Sequence, residues 1–104
     1  MANDHNLVSH EELEQAVANA SYAIVDVREP HEYSEGHVPG AVNLPMSRFD
    51  PDLLPQGKPV VLICKSGGRS ATALQRALAS GVSDIRHYAG GTAGWQGRGG
   101  RVEK

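Results

Sequence analysis

A loop with two adjacent glycines joins an apolar strand to a helix near the middle of the chain. The strand is Val60–Ile63, a helical pattern covers 71–80, and the loop between them reads Cys64-Lys65-Ser66-Gly67-Gly68-Arg69-Ser70. Glycines let a loop curl so that its N–H groups point inward, and the start of a helix adds positive potential. The sequence therefore predicts a strand–loop–helix unit that can hold an anion at the carboxyl end of the strand.

Cys64 opens this loop and is the only cysteine of the protein. Inward N–H groups and the helix start should shift its thiol toward thiolate, the nucleophilic form, and Lys65 and Arg69 add fixed positive charge. A lone cysteine after an apolar strand is commonly a small buried hydrophobe, but such a residue gains nothing from two glycines and a basic residue after it. We interpret Cys64 as the nucleophile of an enzyme that acts on small anions.

Strand patterns alternate with helical patterns along the whole chain. Strands are predicted at 22–27, 41–44, 60–63 and 84–88, and helices at 10–18, from residue 29 to about 35, at 71–80 and as a short turn at 92–95. Ser9 and Glu12 fit a capping box, Gly81 fits a helix end, and 46–54 is irregular or briefly helical. This alternation predicts one α/β domain, 1–104 with a core of about 7–102, that has a mostly parallel sheet with helices on both faces.

Composition and charge restrict the expected cellular location and the expected binding partners. The formal net charge is −2, which argues against nucleic-acid or membrane attraction. Residues 1–8 are a short lead-in whose first six residues are polar and lack the features of a signal peptide, and no apolar run reaches transmembrane length. One cysteine cannot form an internal disulfide, so we expect a reducing, cytoplasmic setting. The five histidines show no metal-ligand spacing, and neither a metal nor a cofactor is expected. The glycine-rich tail from Gly97 is predicted to be frayed.

Three segments resemble the motifs of rhodanese domains, in the same order along the chain. They are Asp26–Ala41, the loop Cys64–Ser70, and Gly90–Trp95, and the match extends over about 7–102. The resemblance implies a sulfurtransferase whose cysteine takes a sulfane sulfur from a donor such as thiosulfate and becomes a persulfide. That sulfur then passes to cyanide or a thiol, on a small molecule or on an acceptor protein.

The resemblance also assigns roles to residues. Cys64 is the expected nucleophile, Asp26 and Arg28 match positions that brace the active-site loop, and His31 and His37 receive no catalytic role. The expected substrate-binding residues follow the cysteine: Lys65, Ser66, Gly67, Gly68, Arg69 and Ser70. The chain departs from the family in its tail, where Arg101 stands at a position usually held by proline.

Two other functions remain open at this point. Protein tyrosine phosphatases also use a cysteine and an arginine around an anion-binding loop, but they place one more residue between the two than the four found here. They also have a histidine before the cysteine, where this chain has Ile63. Some rhodanese-like domains are instead non-catalytic interaction modules or persulfide carriers. The non-catalytic interaction modules often lack the cysteine, so the presence of Cys64 with Lys65 and Arg69 favours an active site over such a module.

Overall fold

The computed structural model of the protein describes residues 6–104, so most of the predicted lead-in at 1–8 lies outside the described residues. Its strands are β1 (Ala23–Asp26), β2 (Val42–Asn43), β3 (Val60–Ile63) and β4 (Ile85–His87). Its helices are α1 (His10–Asn19), α2 (Pro30–Glu35), α3 (Gly68–Ala79) and α4 (Gly91–Gly97). Two 3₁₀ turns, Met46–Arg48 and Pro51–Leu53, fall within the segment predicted to be briefly helical.

The four strands form one sheet in the order β2-β1-β3-β4, and all neighbouring pairs are parallel. Strand β3 is central and buried on both faces. Its side chains alternate between two apolar clusters: Val60 and Leu62 pack with α3, whereas Val61 and Ile63 pack with α1 and α4. The predicted α/β architecture, with helices on both faces of a parallel sheet, is confirmed.

Local sequence signals set the ends of two helices as predicted. The Ser9 hydroxyl accepts from the Glu12 N–H, and the Glu12 carboxylate accepts from the Ser9 N–H, which completes the capping box of α1. At the end of α3, Gly81 has a φ of 90° and donates its N–H to the Leu78 carbonyl, while the Val82 N–H reaches the Ala77 carbonyl. This pair of hydrogen bonds is a Schellman motif, which uses glycine in the left-handed conformation.

Helix α3 begins at Gly68, three residues before the predicted start at Ala71. The sequence analysis placed both glycines in the loop, but only Gly67 lies outside the helix, as its N-terminal cap with a φ of 100°. The second half of the loop is therefore the first turn of α3. The N–H groups of a first helical turn have no partner within the helix, so they are free to bind a sulfur atom.

The prediction of a frayed tail after Gly97 is wrong. His37 and Glu103 exchange two backbone hydrogen bonds of 2.8 Å, and the indole N–H of Trp95 donates to the Arg101 carbonyl at 2.8 Å. A buried tryptophan needs an acceptor for its N–H, and the tail supplies one although Arg101 replaces proline. None of the helices within residues 6–104 has the length and apolar character needed to cross a membrane.

Candidate active site

Three strands bring polar residues to the same edge of the sheet. Because β1, β3 and β4 are parallel, Asp26 at the end of β1, Cys64 just after β3 and His87 at the end of β4 lie at their shared carboxyl edge. Sites in α/β sheets form at this edge. The fold thus places the predicted nucleophile together with a histidine that the sequence analysis did not select.

The sulfur of Cys64 lies inside the curl of its loop. Its Sγ accepts hydrogen bonds from the backbone N–H of Gly67 at 3.1 Å and of Ser70 at 3.3 Å, and it lies 3.5 Å from the Ser70 hydroxyl. Cys64 is only 1 % exposed. The predicted cradle of inward N–H groups is present around the sulfur.

Two opposing effects set the pKa of Cys64. Burial raises the pKa, because a thiolate loses hydration inside the protein. Hydrogen bonds from the Ser70 hydroxyl and from the N–H groups of Ser70, Ser66 and Gly67 lower it, and together they outweigh burial. The pKa of Cys64 therefore lies below that of an ordinary thiol, which favours the nucleophilic thiolate.

Two glycines are required by close backbone contacts around the loop. A Cβ added at Gly67 would collide with the Ala89 carbonyl, and one added at Gly91 would collide with the backbone of Lys65. Both glycines have positive φ, 100° and 66°. The neighbouring Thr92 donates its N–H to the Cys64 carbonyl at 2.8 Å. The Gly-Gly-Thr segment that starts α4 therefore holds the backbone of the cysteine loop.

The two basic residues of the loop have different surroundings. Arg69 is paired with Glu32 of α2, with distances of 2.6 Å and 3.0 Å between their nitrogen and oxygen atoms. Lys65 and Ser66 are exposed, as is Gly68, which has open space around its Cα. The positive charge of Arg69 thus lies at the rim of the loop and is partly compensated.

Asp26 and Arg28 form a buried ion pair. Arg28 donates from Nη2 to Asp26 Oδ2 at 2.8 Å and to the Gly36 carbonyl at 2.7 Å. The expected direct hydrogen bonds from this pair to the cysteine loop are not among the contacts of the described residues. The pair instead fixes the end of β1 to the end of α2, and Asn43 adds hydrogen bonds to the carbonyls of Asp26 and Arg28 at 2.9 Å each.

Sequence reasoning missed the contact between Ser70 and His87. The Ser70 hydroxyl lies 3.0 Å from Nδ1 of His87, and both residues are buried. Burial lowers the pKa of His87, so its ring is held toward the neutral form. The signal in the sequence was a histidine at the carboxyl end of a predicted parallel strand, the same kind of position that drew attention to Asp26.

Two hollows lie near opposite ends of the parallel strands. A cavity of about 120 Å³ adjoins the loop and is lined by Arg28, Glu35, Lys65 and Thr92 among others. The Thr92 hydroxyl is the one buried side-chain polar atom without a hydrogen-bond partner in residues 6–104. A larger groove of about 400 Å³ is lined by α1, Val42 and the segment before β3, and it includes no residue of the cysteine loop. The smaller cavity lies beside the cysteine loop, because Lys65, the residue after Cys64, is part of its lining.

This arrangement suits covalent chemistry on a small atom rather than binding of a metal. Within residues 6–104 no group of three His, Cys, Asp or Glu side chains could hold a metal ion. The sulfur is surrounded by fixed donors at short distance, which stabilise negative charge without reorganisation. The site can therefore form a thiolate and stabilise a small anionic adduct on it.

The chain is similar to known proteins over most of its length. A model of the rhodanese-like domain family matches residues 9–98. An uncharacterised protein of Synechocystis sp. is 43% identical over 86 residues, which cover 81% of this chain and 48% of that protein. Thiosulfate sulfurtransferase 16 of Arabidopsis thaliana is 34% identical over 91 residues, covering 73% of this chain and 75% of that protein.

Solved structures have the same fold. The rhodanese-related protein of Thermoplasma volcanium superimposes with a TM-score of 0.83 at 29% identity, over 94% of this chain and 97% of that one. The chain spans about half the length of the Synechocystis relative, and it spans less than two thirds of several other curated relatives. The matched family model covers most of the chain, including the cysteine loop and the Gly-Gly-Thr segment. This chain belongs to the rhodanese-like domain family.

Proposed function

We propose that this protein is a sulfurtransferase that moves a sulfane sulfur through a persulfide on Cys64. One observation supports the proposal above all others: Sγ of Cys64 accepts N–H hydrogen bonds of 3.1 Å and 3.3 Å from its own loop, at the start of α3. A sulfur held in this way is a good nucleophile as a thiolate and a stable site for an anionic terminal sulfur.

The proposed reaction has two steps that balance in atoms and charge. The Cys64 thiolate attacks the outer sulfur of thiosulfate, a new S–S bond forms, and the old S–S bond breaks as sulfite leaves with its electron pair. A thiophilic acceptor such as cyanide or a thiol then attacks the terminal sulfur and releases the Cys64 thiolate. Cys64 is the only cysteine, so an internal disulfide cannot remove the persulfide.

Thiosulfate is a donor that fits the site. The exposed Lys65 lines the cavity beside the loop together with Thr92, whose hydroxyl is unpartnered. An ammonium group and a hydroxyl are suited to the sulfonate end of a small anionic donor, and the name of the Arabidopsis relative mentions thiosulfate. The single thiol is compatible with a reducing compartment such as the cytoplasm.

The contact of Arg69 with Glu32 does not favour the phosphatase alternative. In a cysteine phosphatase the arginine must bind the phosphate, whereas here both outer nitrogens of Arg69 are engaged by a carboxylate. The loop also has little space, because Gly67 lies directly against the Ala89 backbone. We therefore expect the protein to be inactive toward an aryl phosphate.

The test combines an activity assay with detection of the intermediate. Wild type should convert thiosulfate and cyanide to thiocyanate and sulfite, and Cys64→Ser should be inactive while keeping the circular dichroism spectrum of wild type. After brief exposure to thiosulfate and desalting, intact-protein mass spectrometry should find one added sulfur on wild type alone, which cyanide removes. Turnover by folded Cys64→Ser would overturn the proposal, and persulfide formation without turnover would indicate a carrier module.

A further inference from the structure

A row of buried polar groups extends from Cys64 to the ring of His87. Sγ of Cys64 lies 3.5 Å from the Ser70 oxygen, which lies 3.0 Å from Nδ1 of His87. The same oxygen is 3.2 Å from the Gly67 carbonyl. Ser70 is fully buried and His87 is 6 % exposed. The reaction proposed above uses the sulfur but gives the histidine no part.

The Ser70 hydroxyl has one hydrogen to donate and three polar neighbours. A hydroxyl donates once and accepts twice, a carbonyl only accepts, and a thiolate or persulfide sulfur only accepts. Nδ1 of a neutral imidazole donates in one tautomer and accepts in the other. The tautomer of His87 therefore decides whether the ring competes for the hydrogen of Ser70 or leaves it for the other two neighbours.

We propose that His87 is a positioning residue that donates its Nδ1 hydrogen to Ser70 and so commits the Ser70 hydrogen to the Cys64 sulfur. While Cys64 is a thiol, its S–H donates to the Ser70 oxygen and the Ser70 hydrogen goes to the Gly67 carbonyl. Once the thiol has lost its proton to water, the hydroxyl rotates and donates to the anionic sulfur. The same contact serves the persulfide, and in this respect the inference rests on the proposed function.

The opposite tautomer would leave the thiolate only the backbone N–H donors of its loop. The Ser70 hydrogen would then go to Nδ1 at 3.0 Å, and oxygen lone pairs would face a negative sulfur at 3.5 Å. Burial lowers the pKa of His87 and so favours the neutral ring, which has only one N–H to place. Two arginines near the loop are already paired, Arg69 with Glu32 and Arg28 with Asp26, and the exposed Lys65 lies at the cavity beside the loop.

The test follows the titration of Cys64 by carbon NMR of its Cβ, which reports the thiol directly and needs no sulfur donor. In His87→Leu the Ser70 oxygen loses the hydrogen bond from Nδ1, so the hydrogen bond that Ser70 donates to the Cys64 sulfur becomes weaker. The thiolate fraction of Cys64, measured below its pKa, should therefore fall about tenfold relative to wild type. His87→Asn can donate an amide hydrogen from nearly the same place and should retain the thiolate within about threefold of wild type. In a Ser70→Ala background, His87→Leu should have no further effect, because the histidine acts through the hydroxyl.

His10 provides a matched control. It is also a buried histidine whose Nδ1 faces a hydroxyl, that of Tyr88 at 3.2 Å, but it belongs to α1 and does not contact the loop. Both His10→Leu and His87→Leu should lower the melting temperature of the protein, but His10→Leu should not change the titration of Cys64. A purely structural role for His87 would give this same pattern in His87→Leu and would overturn the proposal.

A second measurement does not depend on whether the variants fold. Nitrogen NMR of wild type should find the hydrogen of neutral His87 on Nδ1, and a hydrogen on Nε2 would overturn the proposal. A loss of thiolate that persists in full in the Ser70→Ala background would also overturn it. Because neither measurement needs turnover, an enzyme inactive toward thiosulfate would refute the proposed function while leaving this inference to stand or fall separately.

Discussion

Arg69 and Glu32 form a two-point ion pair that connects the first turn of α3 to α2. Nη1 lies 2.6 Å from Oε1 and Nη2 lies 3.0 Å from Oε2. The hydrogen bonds from Arg69 lower the pKa of Glu32 from 4.5 to about 2, and the pKa of Arg69 is raised in turn. The positive charge of the guanidinium at the rim of the loop is therefore partly compensated by the Glu32 carboxylate.

Replacing Arg69 should weaken the use of anionic donors. Arg69→Ala removes a positive charge and leaves the Glu32 carboxylate unpaired beside the loop, so kcat/KM for thiosulfate should fall about tenfold, mainly through KM. Steady-state kinetics with thiosulfate and with an uncharged organic trisulfide measure this, and the uncharged donor should be affected less. Glu32→Gln is the matched control, because it frees Arg69 and should lower KM for thiosulfate. Equal losses with both donors in Arg69→Ala would contradict an electrostatic role.

Lys65 should have a smaller effect that depends on salt. Its ammonium is exposed at the cavity beside the loop, where water and ions screen it. Lys65→Ala should lower kcat/KM for thiosulfate about threefold at low salt, and the difference should vanish near 1 M salt, where screening is nearly complete. Lys58, an exposed lysine that lines the larger groove, is the control. A similar loss in Lys58→Ala would mean that only the overall charge of the protein matters.

The Glu32 ion pair should make stability depend on acidic pH. A carboxyl whose pKa is lower in the folded state stabilises the fold above its unfolded pKa, and this contribution is lost as pH falls. For Glu32 the loss should occur between about pH 4.5 and about pH 2. Because the pair is partly exposed, we expect an effect of about 1 kcal/mol.

Urea unfolding of wild type and Glu32→Gln measures this contribution. The free energy of unfolding of wild type should exceed that of the variant above pH 4.5, and the difference should close on acidification toward pH 2. A difference that stays constant over this range would mean that the carboxylate charge does not stabilise the fold.

Gly91 should tolerate no side chain. Alanine there would need a φ of 66° and would overlap the Lys65 carbonyl, so Gly91→Ala should lower the free energy of unfolding by about 2–4 kcal/mol. Gly97, in the last turn of the same helix, has nothing within 4 Å of an added Cβ. Gly97→Ala is therefore the control and should leave stability unchanged or slightly raised. Denaturant unfolding measures both variants, and equal stabilities would contradict the close contact described here.

The sequence predicted those parts of the site that short stretches of chain determine. The apolar run of β3, the cysteine after it and the following helix lie within twenty residues, so periodicity and turn chemistry indicate the cradle. The family resemblance added the Gly-Gly-Thr segment, although only the structure explains Gly91, by its contact with Lys65.

Contacts between side chains that are far apart in the sequence could not be predicted from it. Arg69 and Glu32 are 37 positions apart, and their pairing depends on how α2 lies against α3. The contact of Ser70 with His87 likewise depends on the order of strands in the sheet. The tail was mispredicted because the prediction relied on its glycine content. It did not consider that the indole N–H of Trp95 needs a hydrogen-bond acceptor, which the tail supplies.

The parallel pairing of every neighbouring strand has a consequence for how the protein is made. Pairing β1 with β3 joins Ala23 to Val60, and pairing β3 with β4 joins Val60 to Ile85, so each step must first close a long loop of chain. The amide that holds the Cys64 carbonyl comes later still, from Thr92. An emerging chain that has not yet included Thr92 therefore lacks the hydrogen bond that holds the Cys64 carbonyl. The backbone of the cysteine loop gains this last support only when nearly the whole chain has been made.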